Sequence, residues 1–182
     1  MRLENEQYEE IKQIVIETFL EYDIRCVPIN AFEMALKMEI KIIPYSALSE
    51  EKKNAAEKVS EDGFSIDNHG TWTIYYNDNC SNYRRINHTI MHEIGHYALG
   101  HIKEGEEEET EAKFFAKYAL APPPLIHNCI KGCICPETIR DVFDISYEAA
   151  YYAYDYYKKW LQYGERYYTD YEENMLNLFR VA

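Results

Sequence analysis

The sequence lacks any long apolar stretch. A membrane-spanning helix needs about 18 to 20 consecutive apolar residues, and the hydrophobic windows of this 182-residue chain are broken by Glu, Lys or Pro before they reach that length. The first ten residues, MRLENEQYEE, are polar and acidic, whereas a secretory signal starts with basic residues followed by an apolar segment. We therefore expect a cytoplasmic protein that does not enter a membrane.

Positive charge is scarce as well. The chain carries 19 Lys and Arg against 32 Asp and Glu, which gives a formal net charge of −13 at pH 7. The basic residues form no dense stripe, so most of the surface would repel a phosphate backbone. The composition argues against direct nucleic-acid binding and is compatible with a partly basic protein partner.

Cysteines are few and odd in number. An odd count in a chain without a secretion signal does not suggest a disulfide framework, so we expect free thiols. The spacing of the last three cysteines, near His127, is not a standard zinc spacing, and no second metal is predicted. The five cysteines are Cys26, Cys80, Cys129, Cys133 and Cys135.

Hydrophobic periodicity predicts a mostly helical chain. In several segments the apolar residues recur every three to four positions, as on an amphipathic helix. The helix 82–99 carries apolar residues every four positions and is followed by Gly100, a common residue just beyond a helix C-terminus. The other predicted helices cover about 4–22, 29–39, the segment from the acidic run 104–111 to Pro122, 136–143, 145–163 and 171–181.

A small sheet is predicted ahead of the helix 82–99. IKIIPY is typical of a short strand ended by Pro44, and GFSIDNHGTWTIYYND predicts a hairpin of strands 64–66 and 71–76 joined at Asn68-His69-Gly70. Residues 47–62 fit either a short helix or a connection. The expected fold is α+β, mostly helical with a small antiparallel sheet, in one domain over 1–182 with C-terminal helices from about 136.

The segment His92-Glu93-Ile94-Gly95-His96 carries the chemistry. On a helix, His92 and His96 lie one turn apart on one face, so both imidazoles can converge on one metal ion. Glu93 lies beside that face, where it can take a proton from an attacking water and later pass one to a departing amine. The pattern predicts a zinc-dependent peptidase on a zincin-like fold.

A catalytic zinc takes three protein ligands and leaves one position open. The pattern HExxHxxGxxH would place a third histidine at 102, but Leu99 and Ile102 occupy its Gly and His positions, and His101 is displaced by one residue. His88 lies two turns from His96, about 12 Å away along the helix, so it is expected to line the cleft or to support a ligand.

The third ligand is therefore expected from the acidic run on the next helix. The next helix has an apolar stripe expected to be buried, formed by Ala112, Phe115, Ala116, Ala119 and Leu120. Helical position favours Glu111, which lies beside Ala112 at the edge of this stripe, and Glu108, one turn earlier, is the alternative. Residues 106–109 are otherwise expected to be a solvated helix start that complements the helix dipole. The predicted site is His92, His96 and Glu111 at the metal.

Around these residues the sequence resembles the ImmA/IrrE family of metallopeptidases. The resemblance lies in Arg84-Arg85, INHTIMHEIGHYALGH, an acidic linker and EAKFFAKYALAPP, and it extends over about 25–155. The family commonly shows a Thr three residues before HExxH and an E-A-N-x-F-A helix that ends at proline. Matching residues are Thr89, Glu111, Ala112, Phe115, Ala116 and Pro122, while Lys113 stands where Asn is usual.

The resemblance implies a gluzincin-like zinc site, HExxH plus a downstream glutamate, with Glu93 as catalytic acid/base. It also implies an antirepressor of a mobile element that cleaves a helix-turn-helix repressor. Two alternatives stay open. One is a non-catalytic antirepressor that binds the repressor and has a structural or lost zinc site, and the other is a zinc hydrolase acting on small amides.

Overall fold

The computed structural model describes residues 2–68, 70–79, 82–103, 105–164 and 167–180. Within them the chain is mostly helical with a three-stranded sheet, which confirms the predicted α+β class. The helices are α1 (Asn5–Glu21), α2 (Ala31–Lys37), α3 (Glu50–Val59), α4 (Tyr83–Ala98), α5 (Glu106–Leu120), α6 (Pro123–Cys129), α7 (Pro136–Phe143), α8 (Tyr147–Tyr163) and α9 (Asp170–Phe179). The strands are β1 (Lys41–Pro44), β2 (Gly63–Asn68) and β3 (Thr71–Tyr76).

The sheet has the order β1-β3-β2, so β3 is the central strand. β2 and β3 form the predicted antiparallel hairpin, with Ser65 opposite the fully buried Ile74. β1 pairs with the other side of β3 in parallel, so the sheet is mixed and not purely antiparallel. This arrangement leaves β2 at an edge. His69, in the predicted turn, lies outside the described residues.

Two helices go beyond the predictions. α3 occupies the segment 47–62, for which periodicity had allowed either a helix or a connection. α6 begins directly at the proline run that was expected only to end α5. Proline fits the first turn of a helix because its missing N–H has no partner there in any case, so one proline run can both end α5 and start α6.

The helix with the histidine motif packs most extensively against α5. Ile90 and Ile94 are fully buried, and so are Phe115 and Ala116 of the predicted stripe on α5. A Cβ at Gly95 would lie 3.1 Å from Cδ1 of Phe115. The phenyl ring therefore lies directly on the backbone of the motif helix, and this contact sets the spacing of α4 and α5.

The buried side chain of Asn87 connects α4 to the start of α2. Its amide oxygen accepts a hydrogen bond from the Ala31 N–H (2.8 Å), and its amide nitrogen donates to the Ile29 carbonyl (3.1 Å). Both backbone groups would otherwise be buried without a partner, which would cost about 1–3 kcal/mol each. α4 is thus held on one side by α5 and on another by α2.

The ends of the chain share the same hydrophobic core. Val15 of α1 and Met175 of α9 are both fully buried in it. None of the described helices is long and apolar enough to cross a bilayer. The described cysteines, Cys26, Cys129, Cys133 and Cys135, are free thiols, and Cys80 lies outside the described residues.

Replacing Phe115 by alanine should lower the free energy of unfolding by about 3–5 kcal/mol, because it leaves a cavity between α4 and α5. Urea denaturation followed by circular dichroism measures the loss. Leu161→Ala, at a position 55% exposed on α8, is the control and should change stability by less than about 0.5 kcal/mol. Equal small effects for both variants would contradict the role given to this contact.

Candidate active site

A cleft of about 950 Å³ opens beside α4. Its walls come from the motif face of α4, the edge strand β2, the connection after α4 and the start of α5. His88 lines it, as expected from its place one turn before His92, and burial lowers the pKa of its imidazole. The cleft is large enough to take an extended peptide segment, since ligand pockets commonly span a few hundred to about 1,000 Å³.

Three side chains converge in this cleft. Nε2 of His92 lies 3.2 Å from Nε2 of His96, and Oε1 of Glu109 lies 3.2 Å from Nε2 of His96 and 3.7 Å from Nε2 of His92. Ligands at about 2.0–2.2 Å from a tetrahedral zinc ion are about 3.3 Å apart. The donor atoms are nitrogen, nitrogen and carboxylate oxygen, so the group fits a metal such as zinc in both spacing and chemistry.

The charge states of these groups also suit metal binding. Burial, with a contribution from the charge of His96, lowers the pKa of His92 to about 4, so its ring is neutral at pH 7. For Glu109 burial acts to raise the pKa, but the hydrogen bond from Lys113 and the charges around it outweigh that effect and lower the pKa. Nζ of Lys113 lies 3.1 Å from Oε2 of Glu109, which leaves Oε1 directed at the histidines.

The structure brings Glu109, and not the expected Glu111, close to the two histidines. Residues two apart on a helix point about 200° away from each other, so only one of the two carboxylates can face α4. Glu111 faces the other way: its Oε2 lies 3.0 Å from Nε2 of His101, and its Oε1 accepts a hydrogen bond from Gln7 of α1 at 3.3 Å. The buried stripe beside Glu111 faces the core and not the cleft.

The alternative ligand, Glu108, is not in the group either. Its carboxylate lies against Gly105 at the start of α5, since a Cβ at Gly105 would be 2.2 Å from Oε2 of Glu108. A carboxylate there is favoured by the dipole of the helix start. Among the residues of the acidic run that the structure describes, only Glu109 lies close to both His92 and His96.

Glu93 lies next to the histidine pair and lines the cleft. It is buried, with 7% of its surface exposed, and its Oε2 accepts a hydrogen bond of 2.6 Å from Oγ of Ser65 on β2. Burial and then the charge of Glu93 raise the pKa of Tyr45 to about 12, so this phenol stays protonated. Glu93 is thus held by the edge strand at the rim of the site.

Sequence reasoning missed three of these roles. Lys113 was noted only as a departure from the family, although its spacing of four from Glu109 on one helix favours an ion pair. Ser65 was part of a predicted strand, and no local pattern ties it to Glu93. His101 was set aside because it cannot complete HExxHxxGxxH, yet its Nδ1 lies 2.9 Å from Nδ1 of His96.

Fold and site together define the class. The fold has a small sheet with an exposed edge strand, followed by a helix whose two histidines and glutamate face a cleft. This is the arrangement of a zincin-like α+β protein. The model of the IrrE N-terminal-like domain, peptidase family M78, matches residues 42–154, more than half of the chain. The chain belongs to this family, which confirms the resemblance seen in the sequence. No curated protein matches it.

Gly63→Ala should lower the free energy of unfolding by about 1–3 kcal/mol, because a Cβ there would lie 2.8 Å from both Cγ2 of Thr89 and the Tyr75 carbonyl oxygen. The close approach of β2 to α4 that brings Ser65 to Glu93 requires this glycine.

Denaturation of Gly63→Ala combined with Thr89→Ser is the companion measurement. The serine removes the methyl clash but not the clash with the backbone carbonyl, so only part of the loss should be recovered. An alanine variant as stable as the wild type would show that β2 approaches α4 less closely than described.

Proposed function

We propose that the protein is a zinc-dependent endopeptidase in which His92, His96 and Glu109 bind the metal and Glu93 is the catalytic acid/base. The observation that carries the proposal is the convergence of three ligand atoms within 3.2–3.7 Å of one another in the cleft, directly beside a buried glutamate. Membership in a peptidase family supports the reaction class. The ligand set replaces the expected Glu111 by Glu109.

The contacts of Glu109 support its proposed role as the third metal ligand. Lys113 holds its Oε2, so the carboxylate can offer Oε1 as a single ligand atom. These three residues would hold the ion and leave one coordination position for water, as a catalytic zinc site requires. A structural zinc site would be closed by a fourth protein ligand, and the described residues bring none to the group.

The chemistry is divided between the metal and the protein. A zinc ion here would act as a Lewis acid on the scissile carbonyl and lower the pKa of water. Glu93 takes the proton of the attacking water as the new C–O bond forms, and it passes that proton to the amine nitrogen as the C–N bond breaks. The hydrogen bond from Ser65 keeps the carboxylate in one orientation for both transfers.

For the substrate, we propose a helix-turn-helix repressor of a mobile element, which would make the protein a cytoplasmic antirepressor. The resemblance to the ImmA/IrrE family supports this substrate. The net charge of −13 also suits a partner that carries a basic DNA-binding surface, because opposite charges speed encounter. We further propose that residues 1–182 work as one peptidase domain, supported by the core that α1 and α9 share.

Glu93→Gln should lower the rate of repressor cleavage by about 100- to 10,000-fold, because the amide cannot accept the proton of the attacking water. Zinc content should be unchanged, since Glu93 is not a proposed ligand. Cleavage is followed by gel electrophoresis with purified repressor candidates encoded on the same element, and zinc by elemental analysis.

This variant also separates the alternatives. A binding antirepressor would still release the repressor from its operator after Glu93→Gln, in a DNA mobility-shift assay, without any cleavage. A hydrolase of small amides would cleave short peptides as well as it cleaves the repressor. Wild-type cleavage rates in Glu93→Gln would refute the peptidase mechanism.

Glu109→Gln should weaken zinc binding by more than about 100-fold, because it removes a direct ligand. Loss of a residue that only hydrogen-bonds to a ligand typically weakens metal binding by about 10- to 100-fold. Glu108→Gln is the matched control, because it makes the same chemical change one residue earlier and should leave zinc affinity unchanged. Competition with a zinc chelator measures both. Similar affinities for the two variants would remove Glu109 from the ligand set.

A further inference from the structure

An unbroken series of polar contacts runs from His96 through His101 and Glu111 to Gln7 of α1. Nδ1 of His96 lies 2.9 Å from Nδ1 of His101, Nε2 of His101 lies 3.0 Å from Oε2 of Glu111, and Nε2 of Gln7 donates to Oε1 of Glu111 at 3.3 Å. His96 is 7% exposed and the side chain of His101 is 8% exposed. These contacts are therefore largely shielded from water.

A turn of the backbone brings His101 to this place. The N–H of Gly100 donates to the Tyr97 carbonyl, and the N–H of His101 donates to the His96 carbonyl, both beyond the end of α4. Gly100 has φ +68°. This is the Schellman arrangement, in which a residue in the left-handed conformation reverses the chain over the last helical turn. It places the side chain of His101 against that of His96.

The contacts determine where the protons are. The carboxylate of Glu111 can only accept, so Nε2 of His101 carries a hydrogen and donates it. In a neutral His101 the other ring nitrogen, Nδ1, is then an acceptor, and the hydrogen in its contact with His96 must belong to Nδ1 of His96. With its hydrogen on Nδ1, His96 has its free lone pair on Nε2, the atom that faces His92 and Glu109.

We infer that His101 and Glu111 are positioning residues that hold His96 in the tautomer and ring orientation needed to bind the metal. The inference rests on the proposed zinc site and deepens it. Ligand histidines in metal sites commonly donate their second ring N–H to a partner that fixes the ring and raises its basicity. Here that partner is a second histidine, and a glutamate in turn orients it.

The two histidines differ in whether a hydrogen bond holds their second ring nitrogen. Nδ1 of His92 is buried and has no hydrogen-bond partner among the described residues, so only His96 is fixed in this way. The support also reaches beyond the segment 42–154 that matches the family. Gln7, which holds the far side of Glu111 and also donates to Glu107 at 2.7 Å, belongs to the N-terminal helix α1.

The first test uses the metal-free protein. Long-range ¹H–¹⁵N spectra of the full chain labelled in histidine report which ring nitrogen carries hydrogen. The wild type should show His96 with its hydrogen on Nδ1, and His101→Leu should shift His96 toward the Nε2–H form that free histidine prefers. An unchanged His96 signal in a folded His101→Leu protein would overturn the inference.

The second test is zinc affinity by chelator competition. His101→Leu should weaken binding by about 10- to 100-fold. His101→Gln should recover part of the loss, because its amide can accept from His96 and donate to Glu111. Gln7→Ala should cause a smaller loss than His101→Leu, and Gln13→Ala none. Gln13 is the control because it lies exposed on the same helix and bonds only Glu17 among the described contacts.

The outcomes separate this inference from the proposed function. Equal zinc affinity in wild type and His101→Leu, with both proteins folded by circular dichroism, would overturn the inference alone. A wild type that binds zinc with the predicted His96 tautomer but cleaves no repressor or peptide would refute the peptidase proposal and leave the inference standing. A wild type that binds no zinc would refute both.

Discussion

The contact of Phe115 with the backbone at Gly95 determines the geometry on which the rest of the site depends. An atom of the ring would lie only 3.1 Å from a Cβ at Gly95, so the absence of a side chain there lets α5 approach α4 closely enough for Glu109 to reach the two histidines. Glu109 precedes Phe115 by six residues on the same rigid helix. Its distance from His96 is therefore set by core packing and not by the loop between the helices. A wider spacing would leave two histidines without a third partner.

Once the helices are packed, electrostatic interactions determine where each carboxylate at the start of α5 lies. The start of α5 is crowded with carboxylates, and each would favour solvent or the helix dipole if nothing else held it. Lys113 and the two histidines offset that preference for Glu109, while Glu108 remains at the helix start and Glu111 turns to His101. One acidic run thus supplies a carboxylate at the start of α5, a candidate metal ligand and a partner of His101. The rotation of α5 about its own axis determines which glutamate takes each of these roles.

Much of the fold could be predicted from the sequence because it depends on local patterns. The helix of Ile90 and Ile94, the hairpin of β2 and β3 and the stripe around Phe115 each follow from spacing alone. The parallel pairing of β1 could not be predicted, since it joins residues distant in sequence. For the site, the spacing of His92 and His96 is local, but choosing among five glutamates required the rotation of α5 against α4, which only tertiary packing determines.

His101 shows what local reasoning could still have found. Gly100 was already recognised as a helix end, and a glycine there predicts the Schellman turn that folds the next residue back onto the last helical turn. That turn divides the connection between α4 and α5 into two parts with different tolerance to length change. Between Tyr97 and His101 the hydrogen bonds of the turn join residues at fixed spacings. An added residue would therefore move the imidazole of His101 away from His96. Beyond the turn lies Ile102, whose surface is 96% exposed, so an insertion or deletion there is expected to change the shape of the cleft mouth and to leave the proposed metal site in place.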